Sequence, residues 1–121
     1  MSHILVAEDN ALNRMVLTRL LSGLGCTFDT VENGRQVLEA VQRQHYDLVL
    51  MDVRMPEMNG IEATKELQLL LPSTARPPVY AVTAGVSTEE QAACLAAGMI
   101  GFIDKPIDIE MLRALLATVQ P

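Results

Sequence analysis

Five short apolar runs, each ending at a polar or charged residue and each followed by a longer stretch of helical periodicity, constrain this chain most. The first run, Ile4-Leu5-Val6-Ala7, stops abruptly at Glu8-Asp9-Asn10. Leu12, Val16, Leu20 and Leu24 then recur at helical spacing as one apolar face, with Gly25 as a stop signal. Residues 27–31 give a weaker second strand, and Asn33-Gly34-Arg35-Gln36 has the form of a capping box opening a helix through Val37, Leu38 and Val41. Leu48-Val49-Leu50-Met51, the most apolar run, ends at Asp52. Pro56 and Asn59-Gly60 break the chain before a helix bearing Ile61, Ala63, Leu67 and Leu70. Pro72, Pro77 and Pro78 mark the loop to a fourth strand over 79–82, which ends at Thr83. Ser87-Thr88-Glu89-Glu90 is a capping box for an Ala-rich helix that stops at Gly98. Residues 100–103 form a short fifth strand, followed by Lys105-Pro106 and a last helix capped by Asp108 and bearing Met111, Leu112, Leu115 and Leu116.

Strands that are apolar on both faces and separated by helices indicate a parallel sheet covered on each side. Short connections and right-handed crossovers favour a doubly wound (βα)5 sandwich, flavodoxin-like, with strand order 2-1-3-4-5. The length of 121 residues suits a single domain spanning 1–121. With no Trp and only two Phe and two Tyr, the core must be aliphatic, and the seven Met read as fillers of core gaps.

Nine basic against fifteen acidic residues give a formal charge of −6, which argues against a nucleic-acid binder and against docking on an anionic membrane. Cys26 and Cys94 lack C-x-x-C spacing and read as small buried hydrophobes of a reducing compartment. No apolar run approaches the roughly 20 residues of a membrane helix, and the N-terminus begins as a strand, so the expected setting is cytoplasmic. His3 and His45 are isolated and read as structural or surface residues.

Ligand sites in open α/β sheets lie outside the carboxyl ends of the strands, where the strand order reverses. Those ends present Glu8 and Asp9, Asp52, Thr83 and, just past the fifth strand, Lys105. Taken singly, each has an ordinary explanation. Glu8-Asp9 suits a helix N-terminus, Asp52 a turn, Thr83 a strand end and Lys105-Pro106 a turn. Together they converge three carboxylates in one crevice, which repel unless a hard cation such as Mg²⁺ neutralises them. Lys105 adds a compact positive charge and Thr83 a hydroxyl donor. A nucleophilic carboxylate, a metal and two donors for oxyanions are the parts needed to transfer a phosphoryl group to an aspartate.

Over its whole length the chain resembles the receiver domains of response regulators, the CheY-like superfamily, on Glu8-Asp9-Asn10, Asp52 with Met55-Pro56, Asn59-Gly60, Thr83-Ala84 and Lys105-Pro106. The resemblance implies Asp52 as phosphoacceptor. It implies Mg²⁺, for which Mn²⁺ can substitute, held by Asp9, Asp52 and the backbone carbonyl of Arg54, with Glu8 acting mainly through water. Thr83 and Lys105 become phosphoryl-binding groups, and Lys105-Pro106 a cis bond that aims the lysine. Two departures stand out: Glu8 replaces a frequent aspartate, and the switch aromatic, often Tyr, is Phe102. Phe102 lacks the hydroxyl and reads equally as a switch or as core packing. The Arg54 side chain is left free to shape phosphoryl access.

The implied function is phosphorelay signalling, in which a histidine kinase or histidine phosphotransfer domain donates to Asp52. The domain catalyses only its own phosphorylation and dephosphorylation. Asn13-Arg14 and Glu62-Ala63-Thr64 resemble receivers of hybrid sensor histidine kinases. The resemblance leaves the effector open and admits a homodimer through the face of the fourth helix, fifth strand and fifth helix. Three other readings compete. An aspartyl-phosphate hydrolase wants a second Asp where Arg54 stands. A flavin carrier wants a Gly- and hydroxyl-rich phosphate loop where Glu8-Asp9 stands. A phosphorylation-independent docking module would bind neither Mg²⁺ nor phosphoryl analogues.

Overall fold

The structure, a computed structural model, describes residues 2–119. Five strands alternate with five helices: β1 (His3–Ala7), α1 (Ala11–Gly23), β2 (Thr27–Val31), α2 (Gly34–Arg43), β3 (Leu48–Asp52), α3 (Gly60–Leu70), β4 (Val79–Thr83), α4 (Thr88–Ala97), β5 (Gly101–Asp104) and α5 (Ile109–Val119). A single 3₁₀ turn, Ser73–Ala75, sits in the loop before β4. All strand pairs are parallel and the order is β2-β1-β3-β4-β5, the doubly wound arrangement expected from the alternation.

The period-2 geometry of the strands divides the core in two. Leu5, Ala7, Val49, Met51, Val79 and Ala81 face α2, α3 and α4, whereas Ile4, Val6, Leu48, Leu50, Val82 and Ile103 face α1 and α5. β3 is buried along its whole length, as the central strand of a sheet covered on both sides must be. β2, at the edge, is only partly covered, which explains its weak apolar signal. Cys26 and Cys94 are both buried and unlinked. Met51, Met55 and Met99 fill the core, but Met15 and Met111 are exposed, and Met1 lies outside the described residues.

The helix starts follow their caps. The Asn10 side chain accepts the Asn13 N–H, and Ser87 with Glu90 forms the expected capping box. A further box, Asn59 with Glu62, opens α3. At α2 only half of the expected box forms: Asn33 caps Gln36 N–H, but the Gln36 side chain accepts from Glu32 N–H, one residue ahead of the cap. Gly98 ends α4 at φ 118°, a left-handed conformation that favours glycine.

Two apolar faces differ from expectation. In α1 the residues turned to the core are Leu17 and Leu21, while Leu12 is 63% and Val16 45% exposed. A strict spacing of four advances about 40° around a helix of 3.6 residues per turn at each step, so the stripe that starts at Leu12 winds off the buried arc. In α3 the buried face is Gly60, Ala63, Thr64 and Leu67, and Leu70, the last residue of the helix, is exposed. Ile100 lies just outside β5 and is exposed.

These assignments separate two leucines of one helix. Leu21→Ala is expected to cost roughly 2–5 kcal/mol of unfolding free energy, and Leu12→Ala to stay within about 0.5 kcal/mol, by urea denaturation followed by circular dichroism.

Candidate functional site

Register decides which strand-end residues meet. β1 and β3 pair with Ala7 opposite Met51, so the residues that follow, Glu8 and Asp52, leave the sheet side by side. Asp52 stands opposite Val82, which places Thr83 one step beyond on the neighbouring strand. Thr83 in turn stands opposite Asp104, and its carbonyl accepts the Lys105 N–H at 2.8 Å. The Lys105-Pro106 bond is cis.

Lys105 Nζ lies 2.7 Å from Glu8 Oε1 and 3.3 Å from Asp52 Oδ2, bridging the two carboxylates. Glu8, Asp9 and Asp52 each bring a carboxylate oxygen within 4.8 Å of the others. Glu8 and Asp52 are buried, whereas Asp9 is exposed at the mouth. The Arg54 N–H donates to Asp52 Oδ1 at 3.1 Å, and so orients the carboxylate from the loop side. Thr83 is buried, and its hydroxyl oxygen accepts the Gly85 N–H at 3.1 Å.

Charge in this crevice is poorly solvated. Burial pushes the Glu8 carboxyl up to about 7, and the neighbouring Asp52 adds to the rise, while Lys105 and the Asn10 N–H oppose it. For Lys105, burial works against the charged form, but the hydrogen bond it donates to Glu8 and the charge of Asp52 outweigh it and hold the ammonium above its ordinary range. Three oxygen donors with one ammonium leave the crevice short of positive charge. That donor set fits a hard divalent cation such as Mg²⁺.

The loops are braced by residues that the strand-end pattern did not single out. Arg14 donates to the carbonyls of Glu8 at 2.9 Å and Asp9 at 3.2 Å, holding the β1–α1 turn from the first helix. Gly60 follows the Asn59 cap, and a Cβ there would collide with the Asp52 carbonyl oxygen, so α3 starts directly beneath the end of β3 only because the position is glycine. Glu57 adopts φ 64° in the same loop and accepts from the Asn33 side chain at 2.9 Å.

Two expectations require correction or completion. The Arg54 side chain is not free: its guanidinium reaches both oxygens of Glu90 at 3.0 Å. The pairing has no local sequence signal, because the partners are 36 residues apart. Phe102, opposite Ala81 on β5, is half-buried and packs on the core beneath α2, α3 and α4. His3 is structural, stacked on Tyr46 at 5.1 Å with Asp29 3.2 Å from its ring, and His45 lies at the surface beside Asp47.

A five-stranded parallel sheet in this order, with three carboxylates, a threonine and a lysine at its carboxyl edge, defines the response-regulator class of α/β proteins. The family model of the response regulator receiver domain matches residues 4–117, and the chain belongs to that family. It is 34% identical over 98% of its length to probable histidine kinase 1 of Oryza sativa subsp. indica, of which it spans 15%. It is 39% identical over 86% of its length to hybrid signal transduction histidine kinase B of Dictyostelium discoideum, of which it spans 6%. The chain thus covers a small part of these curated relatives. Among solved structures it superimposes with TM-score 0.88 and 34% identity on the receiver domain of a sensor histidine kinase of Pseudomonas aeruginosa PAO1, covering 98% of this chain and 96% of the other. That receiver has a magnesium ion coordinated in its active-site cleft. Among the described residues no helix is long and apolar enough to cross a membrane.

The raised pKa of Glu8 fixes the sign of a pH effect. An acid whose folded pKa of about 7 exceeds its ordinary 4.5 keeps its proton longer in the folded state, so its contribution to stability falls as pH rises between those values. Glu8→Gln removes that contribution. In metal-free protein, the urea midpoint of wild type relative to Glu8→Gln should therefore drop between about pH 4.5 and about pH 7, and parallel pH curves would refute the assignment.

Proposed function

We propose that Asp52 is the phosphoacceptor of a Mg²⁺-dependent phosphorelay receiver, charged by phosphohistidine on a histidine kinase or histidine phosphotransfer domain. The observation that carries this reading is Lys105 bridging Glu8 and Asp52, with Asp9 completing a carboxylate triad. Asp9, the Asp52 side chain and the Arg54 carbonyl would hold the ion, with Glu8 acting mainly through water, and Mn²⁺ would serve as well. When bound, the ion supplies the positive charge that lets an anionic carboxylate approach an anionic phosphoryl group.

The remaining work falls to the chain's own groups. The Arg54 N–H fixes the Asp52 carboxylate, one oxygen of which attacks phosphorus as the P–N bond of phosphohistidine breaks and its electron pair returns to the imidazole. The product is an acyl phosphate on Asp52. Lys105 then pairs with a phosphoryl oxygen, and the Thr83 hydroxyl donates to another. Water later attacks phosphorus, releasing phosphate and restoring the carboxylate, so the only chemistry is the domain's own phosphorylation and dephosphorylation.

Exchange of Thr83 from Gly85 to the phosphoryl group would re-set the β4–α4 loop and bias the face of α4, β5 and α5, where Leu95 and Met111 are exposed and an effector or second copy would bind. A cytoplasmic setting accords with the free cysteines and the absence of a spanning helix among the described residues. Phe102 would contribute ring rotation at most, since it has no hydroxyl to exchange.

Acetyl phosphate with Mg²⁺ should add one phosphoryl mass to the intact wild-type chain by mass spectrometry. Chelation of the metal, and separately Asp52→Asn, should abolish the adduct; retained labelling of Asp52→Asn would overturn the assignment.

A further inference from the structure

The rim of the site carries an ion pair that the phosphorylation chemistry above does not use. Arg54 leaves the acceptor loop two residues after Asp52, crosses the mouth of the crevice and meets both carboxylate oxygens of Glu90 at 3.0 Å. Its other terminal nitrogen points to the Gly85 carbonyl at 3.5 Å. Glu90 is also the acidic member of the capping box that opens α4, accepting the Ser87 N–H at 3.3 Å. One guanidinium therefore ties the loop of the acceptor to the β4–α4 loop and to the first turn of α4. Arg54 and Glu90 line the same cleft as Asp9, the exposed carboxylate of the triad.

Charge and exposure make this contact exchangeable. The Arg54 side chain is 63% exposed and that of Glu90 35%, so water and salt screen the pair and it is weakly held. A phosphoryl group on Asp52 would carry about −1.5 to −2 charges and three acceptor oxygens, a stronger partner for a guanidinium than one half-exposed carboxylate. The anchor of Arg54 is already beside that position, since its backbone N–H touches Asp52 at 3.1 Å.

We infer that the Arg54–Glu90 pair is a charge latch, and that Arg54 exchanges Glu90 for the phosphoryl oxygens when Asp52 is phosphorylated, releasing the first turn of α4. This rests on the assignment of Asp52 as phosphoacceptor. It gives a chain with Phe102 in place of a hydroxyl-bearing aromatic a second connection from the site to α4, through charge. Arg54 is then a positioning residue for the phosphorylated state, and Glu90 its competitor in the resting state.

Competition predicts opposite effects from the two partners. Beryllofluoride with Mg²⁺ serves as the probe, and its dissociation constant is measured for wild type, Arg54→Met, Glu90→Gln and the double variant. Gln retains an acceptor for the Ser87 N–H, so Glu90→Gln keeps the cap while removing the charge. Glu90→Gln should bind about threefold to tenfold tighter than wild type, Arg54→Met weaker by a similar factor, and the double variant should match Arg54→Met. Amide exchange over residues 88–91 should rise on beryllofluoride binding in wild type and stay unchanged by it in Arg54→Met. Single variants that shift in the same direction, or that both stay within about twofold of wild type, would overturn the latch while leaving the acceptor assignment intact. A wild type that binds no beryllofluoride would overturn both.

Discussion

The ammonium of Lys105 is the interaction on which the site depends. Glu8 and Asp52 are both buried at the carboxyl edge of the sheet, and a parallel register puts them next to each other. Two buried carboxylates side by side are relieved by compensating positive charge or by a proton held on one of them. Lys105 supplies one such charge from the far side of the sheet, in sequence 97 residues from Glu8 and 53 from Asp52. The length of Glu8 matters here. Its extra methylene brings the carboxylate to 2.7 Å from the ammonium, closer than Asp52 at 3.3 Å, so the lysine leans on Glu8.

The fold exists around this edge in a specific sense. Five parallel strands end at one edge, and the turns that leave them are held by side-chain hydrogen bonds as well as by the packing of Val53, Met55 and Val86 on the core. Arg14 grips the Glu8 and Asp9 carbonyls, the Asn59–Glu62 box and the bare Cα of Gly60 seat α3 under Asp52, and Gly85 N–H fixes Thr83. Rigid strands below and hydrogen-bonded loops above hold the Asp52 carboxylate and its neighbours in one arrangement. On the α4 side the rim is tied to the Asp52 loop by the screened Arg54–Glu90 ion pair.

Local signals in the sequence were legible wherever the physics is short-range. Strand positions followed from apolar runs, and helix starts from Asn33, Ser87 and Asp108, because a cap is satisfied within three residues of itself. The buried face of α1 departs from the even spacing of its leucines and valine for an equally physical reason. Leu12, Val16, Leu20 and Leu24 are evenly spaced by four, and that row winds around the helix, so only its later members approach the core beside Leu17 and Leu21. Of the exposed start of the row, Val16 lines a small apolar cleft of about 120 Å³ beside Glu8 and Lys105.

By itself the sequence determined the elements, their alternation, and the identity of the residues standing at each strand end. Those depend on period, caps and breakers that act over a few residues. The tertiary structure decided the strand register, and with it that Glu8, rather than Asp9, is the carboxylate turned inward to Lys105. It also decided that Arg54, apparently free in the sequence, is held by Glu90. Pairings across 36 to 97 residues arise only when the sheet closes and loops from separate crossovers meet at one edge, so no local pattern encodes them.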